Sequence, residues 1–402
     1  MRTPEEAIAE ILRALEPRSV AESVPLVRAF DRVLAQDVVA DVDLPPFEKS
    51  AMDGFAVRSA DFQSAMTMRL RVIGESRAGA PFRDSVATGE CVEIYTGAEV
   101  PAACDSVVMV EKTQRAGADV LLDDHPTPGQ HVCHRGEDLR DGDVVLTRGR
   151  RLAELELSVL AAVGADPVAV VRRPRVALCT TGDELVPVTA KPRAGEIREG
   201  NTFYLAARLA TFGADVTNLG IVRDEERALE DLFRRALDES DALVTTGGVS
   251  MGKYDLVGGV LERIGVRPVF HKVAIKPGKP LWFGMYDAKP VFALPGNPVS
   301  CLVGMEVFVR PALAKLGGLP EEHWRPRLRH GRWAGAATRE NPREQHLPVQ
   351  LAAGDDGVEA LTPIRWTSSA DIVGLTRAEA LAVVPAGQVV ERGELVRYRP
   401  LR

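Results

Sequence analysis

The sequence has few aromatic residues and few cysteines for its length. Only 5% of its 402 residues are Phe, Trp or Tyr, and its five cysteines include no CxxC pair. An odd number of scattered cysteines argues against a disulfide framework or a zinc knuckle. We therefore expect reduced, structural thiols rather than catalytic nucleophiles. The five are Cys91, Cys104, Cys133, Cys179 and Cys301.

Long apolar runs and basic clusters are also missing. No run approaches the roughly 20 apolar residues that a membrane-spanning helix needs. The N-terminal MRTPEEAIAEIL lacks the basic and then apolar order of a signal peptide. Lys and Arg number 50 against 57 Asp and Glu, and no basic block suits a phosphate backbone. These features predict a cytoplasmic protein that binds neither membrane nor nucleic acid.

The length and the local patterns predict several domains. A chain of 402 residues exceeds what one hydrophobic core usually organises. We predict an α/β multidomain fold in which a central doubly wound α/β domain is joined by a helical linker domain, a β-rich inserted domain and a C-terminal β domain. In that order, the predicted ranges are 173–320, 1–43 plus 131–172, 44–130 and 321–402.

Hydrophobic periodicity supports this division. Helical spacing marks Pro4 to Leu15 and, over a shorter stretch, Ala29 to Ala35. Short β-like runs separated by turn residues follow from Asp41 to Thr147. From Arg175 onward, strand and helix patterns alternate, which predicts a parallel sheet covered by helices on both faces.

The segment ALVTTGGVSMGKYD, residues 242–255, carries the strongest chemical signal. An apolar strand runs into Thr-Thr-Gly-Gly, and such a turn lets backbone N–H groups approach a phosphate closely. Gly247, Gly248 and Ser250 are a candidate anion cradle, although a turn that only needs positive φ explains the glycines equally well. Asp255 suits a bound cation or a substrate donor, with a solvated helix-terminal Asp as the alternative.

Three further junctions have related chemistry. RVALCTTGDELV, residues 175–186, repeats the strand followed by Thr-Thr-Gly and adds acids, so we expect the two strand-end loops to share one crevice. In FALPGNPVSCLVGMEVFV, residues 292–309, Ser300 offers a hydroxyl near a helix start, or simply caps that helix. In HKVAIKPGKPLWFG, Lys276 and Lys279 form a local positive field suited to an oxyanion, unless they are only a solvated pair.

The segment PPFEKSAMDGFAV, residues 45–57, is unusual for a surface loop. We expect it to bury Phe47, Met52 and Phe55 around Ser50 and Asp53. A loop of this composition is typical of a contact surface.

Eight motifs, in the order SAMDGFAV, YTGAEVP, RGEDL, TGDELV, EIREGN, TTGGVSMGKYD, AIKPGKP and LPGNPVS, resemble the molybdopterin molybdenumtransferase family. That family includes bacterial MoeA and the insertase domain of gephyrin, and the similarity covers nearly the whole chain. The resemblance implies an elongated homodimer of four-domain subunits in which the α/β domain binds the pterin.

The resemblance also implies roles for individual residues. The implied catalytic residues are Asp53, Thr96, Asp138, Glu184 and Asp255. The implied substrate contacts are Gly247, Gly248, Ser250, Lys276, Lys279, Pro298, Ser300, Arg343 and Ser369, with Ser368 as the alternative to Ser369. Glu184 and Asp255 are the implied ligands of Mg²⁺.

The implied reaction is cleavage of adenylylated molybdopterin, release of AMP and transfer of molybdate to the dithiolene. Such a reaction depends on positioning and charge neutralisation more than on covalent chemistry. A molybdopterin adenylyltransferase and apo-molybdoenzymes, or their chaperones, are the implied transient partners. Two alternatives stay open: a molybdopterin adenylyltransferase, and a non-catalytic cofactor carrier or scaffold. Because Asp53 and Thr96 belong to another domain than the glycine turns, we expect the site to close across the dimer.

Overall fold

The structure, a computed structural model, confirms the predicted fold class. It describes residues 1–17, 20–62, 67–249, 256–354, 356–365 and 368–401. A doubly wound α/β domain is combined with a helical linker region, a β-rich insertion and a C-terminal β domain. The residue boundaries predicted for these domains stay predictions.

The N-terminal helix packs on the α/β domain. The first elements are α1 (Pro4–Ala14), β1 (Ala21–Val24), β2 (Val38–Val39) and β3 (Lys49–Ser50). Thr3 caps α1, since its Oγ1 accepts from the Glu6 N–H (3.2 Å) while the Glu6 carboxylate accepts from the Thr3 N–H (2.8 Å). The apolar side of α1 lies in the same core cluster as Phe308 and Leu313.

The β-rich insertion is one six-stranded sheet. Its strands are β4 (Gly54–Val57), β5 (Met68–Ser76), β6 (Glu90–Ile94), β7 (Ser106–Met109), β8 (Thr113–Ala116) and β9 (Asp119–Leu122). They lie in the order β7-β4-β6-β5-β9-β8, and only β5 and β6 are parallel. Both faces of the sheet are covered by small apolar clusters.

The chain then returns to the linker region. The elements there are β10 (Val132–Cys133), β11 (Val144–Leu146), α2 (Glu154–Ala162) and β12 (Val168–Val171). β10 pairs with β3, β11 with β2, and β12 with β1. The prediction of a short helix over Ala29 to Ala35 is wrong. Asp31 has a positive φ of 62°, which breaks helical geometry, and Leu34 forms an extended bridge to Val170.

The α/β domain follows from Arg175. Its strands are β13 (Arg175–Thr181), β14 (Leu185–Val186), β15 (Ile197–Arg198), β16 (Asp215–Val222), β17 (Ala242–Thr246), β18 (Arg267–Lys272), β19 (Ile275–Lys276), β20 (Pro280–Tyr286) and β21 (Lys289–Leu294). Its helices are α3 (Asn201–Thr211), α4 (Glu226–Glu239), α5 (Leu256–Arg263), α6 (Pro298–Gly304) and α7 (Arg310–Leu316). A π-helical turn, Met305–Val309, joins the last two.

The main sheet of this domain is mixed rather than wholly parallel. Its order is β16-β13-β17-β21-β20-β18, and the first four strands are parallel. β20 is antiparallel to β21, which follows it through a tight hairpin, and β18 pairs antiparallel with β20, so only β20 runs against the other strands. Alternate residues of β13 face opposite layers: Leu178 packs in the cluster with α1 and α3, and Cys179 packs in the cluster with α4 and α5.

The C-terminal domain is a sheet that closes on itself. Its elements are β22 (Arg329–Trp333), β23 (Glu344–Ala352), β24 (Ala360–Pro363), α8 (Ile372–Leu375), β25 (Ala380–Val384) and β26 (Leu395–Pro400). Closure results because β25 pairs with both β26 and β23. β19 of the α/β domain adds to β23 in parallel, which fixes the two domains to each other.

No helix in the portion of the chain that the structure describes is long and apolar enough to cross a membrane.

Candidate active site

A cleft of about 510 Å³ opens beyond the carboxyl ends of β13, β17 and β21. Its walls include the turns after those strands and the N-terminal ends of α3 and α6. Gly182 and Glu184 after β13 face the same space as Gly247 and Gly248 after β17. The structure thereby confirms that the two strand-end loops share one crevice, at the place where open α/β sheets bind ligands.

The two glycines of the turn after β17 have different roles. Gly247 has a φ of 94°, and a side chain there would overlap the carbonyl oxygen of Thr181. Its N–H donates to the Leu294 carbonyl (3.1 Å), so this group is already satisfied within the fold. Gly248, with a φ of 64°, also lines the cleft. The predicted cradle thus cannot use the Gly247 N–H, and Ser250 lies outside the described residues.

Carboxylates lie along one side of the cleft. Glu184 is exposed at its rim, and Asp224 enters from the loop after β16. The Thr181 hydroxyl donates to Asp224, and the Asp224 N–H donates to Asp183 (3.3 Å). The acids therefore belong to two loops that are bonded to each other.

The donor chemistry of this side fits Mg²⁺ in kind. Glu184 and Asp224 offer the hard oxygen ligands that Mg²⁺ prefers, and this ion commonly takes one or two carboxylates together with substrate phosphates. Among the residues with described positions, no group of three His, Cys, Asp or Glu could hold a metal by itself. Asp255, the other predicted ligand, lies outside those residues.

The start of α3 supplies an anion-friendly end to the cleft. Asn201 is its first residue, and the partial positive charge of a helix N-terminus attracts anions. The Asn201 Nδ2 donates to the Gly296 carbonyl (2.7 Å) and lies 3.4 Å from the Thr246 Oγ1. Asn201 was not among the predicted site residues, although the EGN motif immediately before a helical pattern was the signal that marks it.

Buried hydrogen bonds support the floor of the cleft. The Thr246 Oγ1 and the Cys301 Sγ both donate to the Pro295 carbonyl, at 2.9 and 2.6 Å. The Tyr204 hydroxyl donates to the Pro298 carbonyl (2.8 Å). Burial raises the pKa of the Cys301 thiol to about 12, so the thiol stays protonated and acts as a donor. These buried hydrogen bonds consequently fix the position of the Gly296–Pro298 turn.

The cysteines are free thiols, as predicted. Burial raises the pKa of Cys91 and Cys104 to about 12 and that of Cys179 to about 11. Such thiols are poor nucleophiles at neutral pH.

The predicted oxyanion contacts gather where the α/β and C-terminal domains meet. The pairing of β19 with β23 brings Lys276 near Arg343, whose Nη1 donates to the Ile275 carbonyl (3.2 Å). Lys276 is half-buried and Lys279 is exposed. The turn between them approaches α6, because the Cβ position of Gly278 is 3.5 Å from the Ser300 carbonyl oxygen.

The C-terminal domain also reaches the Asn297 turn. The Asn297 Nδ2 donates to the Ser369 Oγ (2.9 Å), and the Val299 N–H donates to the Ser369 carbonyl (3.0 Å). The Ser368 Oγ instead accepts locally from the Ala370 N–H (3.2 Å). Of the two serines, Ser369 is therefore the one bonded to the α/β domain.

Two proline-turn residues were also predicted as contacts. Pro298 lines the cleft as the first residue of α6. Ser300 is buried two residues further on. Asn297, not Ser300, occupies the N-cap position, so Ser300 does not have the alternative role of capping the helix.

Asp53 and Thr96 form a pair in the β-rich insertion. The Asp53 Oδ1 accepts from the Thr96 N–H (2.6 Å) and the Thr96 Oγ1 (2.7 Å). These two bonds lower the pKa of the Asp53 carboxyl below its usual value. The next residue, Gly54, must be glycine because a side chain would overlap the Val108 carbonyl oxygen.

The expected burial around this pair is only partly correct. Phe55 is buried and Phe47 is half-buried, but Met52 is 39% exposed. Met52 lies on the turn before β4, where its carbonyl accepts from the Ser50 hydroxyl (2.6 Å), and this turn directs its side chain outward. An exposed Met beside an exposed carboxylate suits a contact surface.

The structure does not bring every predicted residue into one site. Asp138 is exposed in the linker region, where its N–H donates to the Leu44 carbonyl (2.9 Å). Asp138, Asp53 and Thr96 do not line the cleft, whose walls, as far as the chain is described, come from residues 180–372.

Three family models cover most of the chain. Residues 2–164 match the MoeA N-terminal region (domain I and II). Residues 177–315 match a probable molybdopterin binding domain, and residues 331–401 match the MoeA C-terminal region (domain IV). The cleft lies mainly in the second of these regions.

Individual proteins agree with these models. A molybdopterin molybdenumtransferase of Haemophilus influenzae is 37% identical over 326 residues, which is 81% of this chain and 80% of that protein. One from a Nostoc species is 33% identical over 394 residues, 96% of this chain and 90% of the relative. The crystal structure of a molybdopterin biosynthesis MoeA protein from Pyrococcus horikoshii superposes with a TM-score of 0.85 at 28% identity, covering 99% of both chains.

Proposed function

Because this chain belongs to the molybdopterin molybdenumtransferase family, we propose that it cleaves adenylylated molybdopterin, inserts molybdate into the dithiolene and releases AMP. As a member of that family it is a transferase of molybdenum cofactor biosynthesis. One observation carries the finer proposal. The cleft at the ends of β13, β17 and β21 combines carboxylates with a helix N-terminus, and it adjoins a basic corner formed by Lys276 and Arg343 where the two domains meet. Each of these features suits one part of the reaction.

The phosphates of the substrate bind at the α3 end of the cleft. Asn201 begins α3 there, and Gly248 lets the substrate approach the backbone closely. The bond from Asn201 to the Gly296 carbonyl keeps the two neighbouring turns in register. Fixed dipoles of this kind need little reorganisation during the reaction.

Mg²⁺ is held beside these phosphates. Glu184 and Asp255 are its proposed ligands, with Asp224 adjacent to Glu184 in the cleft wall. When bound, the ion neutralises charge on the phosphoanhydride oxygens and orients them. Glu184 lies at the rim, so the carboxylate meets the substrate without prior desolvation.

Molybdate binds in the basic corner between the domains. Lys276 and Arg343 provide positive charge, while Ser300 and Ser369 provide hydroxyls for a tetrahedral dianion. Lys279 is the exposed residue that first meets the incoming anion. Since the corner is built from both domains, their mutual position sets its geometry.

Asp53, Thr96 and Asp138 act from the other subunit of a homodimer. They do not line the cleft of their own subunit, yet Asp53 is exposed and is held in its ionised form by Thr96. Closure of one subunit's insertion over the other's cleft would supply the missing carboxylates. A molybdopterin adenylyltransferase is the proposed donor of substrate in the cytoplasm, and apo-molybdoenzymes or their chaperones are the proposed acceptors.

The deciding experiment incubates the purified protein with adenylylated molybdopterin, molybdate and Mg²⁺. Chromatography follows AMP, and reconstitution of an apo-molybdoenzyme reports the finished cofactor. Molybdate-dependent AMP release with reconstitution is the expected result. Pterin binding without AMP would point to a carrier or scaffold, and consumption of ATP with free molybdopterin would point to an adenylyltransferase.

Mixed dimers test the shared site. Subunits carrying Asp53→Ala and subunits carrying Asp255→Ala are each expected to be inactive alone. Mixing them leaves one intact site per heterodimer, so partial activity should return. No recovery in verified heterodimers would contradict closure across the dimer.

A further inference from the structure

A second cavity, of about 110 Å³, lies where the connection from β12 to β13 meets the C-terminal ends of α3 and α7. It shares no lining residue with the cleft. Its wall is rich in arginine and carries one carboxylate, Asp31. The arginines are Arg32, Arg151, Arg172, Arg173 and Arg310.

Four of the five arginines already have a carboxylate partner. The pairs are Arg32 with Glu22, Arg151 with Asp31, Arg172 with Asp241 and Arg310 with Glu306. Asp241 and Glu306 are shared with Arg175 and Arg208, which lie outside the wall, and one arginine of the wall has no carboxylate partner among the described residues.

That arginine is Arg173. Within the part of the chain that the structure describes, it has no acidic partner, and its Nε is buried without any hydrogen-bond acceptor. A buried guanidinium N–H with no acceptor is unfavourable, since it has lost water and gained nothing in return. Arg173 therefore calls for an anionic or strongly accepting occupant.

The helix ends beside the cavity do not provide that acceptor. At the end of α3, the Leu209 carbonyl accepts from the Ala214 N–H (3.1 Å). At the end of α7, the Ala314 carbonyl accepts from the Leu319 N–H (3.1 Å). These two carbonyls are thus capped by backbone N–H groups, and Arg173 is not their cap.

We propose that this cavity binds a small oxyanion of the phosphate type. A cavity of about 110 Å³ suits an ion of a few heavy atoms and is too small for a nucleoside. Arg173 supplies the uncompensated charge, and each neighbouring arginine has five N–H donors of which its carboxylate uses only some. The site does not depend on the reaction proposed above.

The bound anion joins two domains. Arg32 and Arg151 belong to the linker region, Arg310 belongs to the α/β domain, and Arg173 lies on the connection between them. An anion that contacts both sides stabilises one relative position of these domains. The site is therefore a point at which anion concentration acts on domain arrangement.

Equilibrium dialysis with radiolabelled inorganic phosphate tests the proposal on the full-length protein. Arg173→Gln should weaken phosphate binding about tenfold or more, because it removes a charged donor. Arg227→Gln, the same change on an exposed arginine of α4, should leave binding unchanged. The double variant Lys276→Gln with Lys279→Gln should also retain binding, since those lysines belong to the other site.

Two Thr211 variants keep the test valid if Arg173→Gln does not fold. Thr211 is exposed and lines the cavity, so Thr211→Glu adds a competing carboxylate to the wall that contains Arg173, whereas Thr211→Gln is the neutral control. Only the Glu variant should lose phosphate binding. Absence of competition by AMP would support binding of the free ion, and competition by AMP would contradict a cavity that is too small for a nucleoside. No binding by the unmodified protein, unchanged binding in Thr211→Glu, or loss of all binding in the lysine variant would overturn the proposal.

Discussion

The cleft of the α/β domain and the Asp53 turn of the insertion are built in opposite ways. In the cleft, side-chain hydrogen bonds tie turns from distant parts of the chain together, as between Asn201 and Gly296 or Asn297 and Ser369. At the other place, a single exposed carboxylate is held by Thr96 on an open surface. The cleft is preorganised to bind, and the Asp53 turn is complete only when something is brought against it.

This difference explains how chemistry is divided between the regions. A preorganised cleft can hold phosphates and an oxyanion without further folding. An exposed, ionised carboxylate keeps its charge in water until contact is made. If the site closes across a homodimer as proposed, separating the two would prevent the complete site from existing in one isolated subunit.

Glu184→Gln should give the largest effect. Removing the charge at the cleft rim while keeping its size should lower the rate of AMP release about 100-fold or more, as loss of one key electrostatic group usually does. Steady-state AMP release at several Mg²⁺ concentrations measures it.

The matched control is Glu196→Gln, because Glu196 directly precedes β15, the strand that pairs with β14 next to Glu184. Glu196 accepts from the Arg193 N–H (2.8 Å) and does not line the cleft. If both variants lost activity equally, charge at the rim would not be the cause.

Alanine at two glycines should destabilise the two regions separately. Gly247→Ala and Gly54→Ala each force a side chain against a backbone carbonyl, so each should lower the free energy of unfolding by about 2 to 4 kcal/mol. Thermal unfolding monitored by calorimetry should show that each variant weakens the transition of its own domain.

Gly259→Ala serves as the control for these two. Gly259 lies in α5 with open space around its Cβ position, so alanine should raise stability by up to about 1 kcal/mol. Destabilisation of all three variants would mean that the close carbonyl contacts are not responsible.

Asn297→Ala tests whether the hydrogen bond at the junction of the α/β and C-terminal domains supports molybdate binding. Loss of the bond to Ser369 should weaken molybdate binding roughly five- to tenfold, corresponding to one hydrogen bond of about 1 kcal/mol. The KM for molybdate should rise while kcat changes little, and Ser368→Ala should have no such effect. A fall in kcat with an unchanged KM would assign Asn297 to the chemical step instead.

Thr96→Val should give the smallest effect, a shift in pH dependence. The Thr96 bonds favour the charged form of Asp53 and depress its pKa, so losing the hydroxyl should raise that pKa toward its ordinary value. Asp53 would then become protonated at a higher pH, and the acid limb of AMP release should move upward. Carboxyl NMR titration of Asp53 checks the same shift directly, and an unmoved titration would show that the backbone bond alone sets the pKa.

Local patterns predicted most of the fold. The sequence alone predicts the alternation of strands and helices after Arg175 and the two Thr-Thr-Gly turns, because these features depend on neighbouring residues. The helix expected over Ala29 to Ala35 failed because its apolar spacing also fits an extended strand that pairs with β12. A short segment takes the structure that its partner imposes.

The long-range contacts of some site residues had no local signal in the sequence. Asn201 bonds to Gly296 across 95 positions, and Ser369 reaches Asn297 across 72. The reversed direction of β20 likewise depends on its pairing with β18 and β21 rather than on composition. Such contacts depend on which segments the fold brings together.

By itself the sequence determined the doubly wound domain, the glycine turns at its strand ends and the candidate acids and lysines. Periodicity and turn chemistry are short-range properties, and they act before distant segments meet. Only the tertiary structure decided that Gly247 serves the backbone rather than a ligand, that Arg343 and Ser369 meet the α/β domain, and that Asp53 does not line the cleft of the same chain. These outcomes depend on close packing and hydrogen bonding between residues far apart in the chain, which no short stretch of sequence specifies.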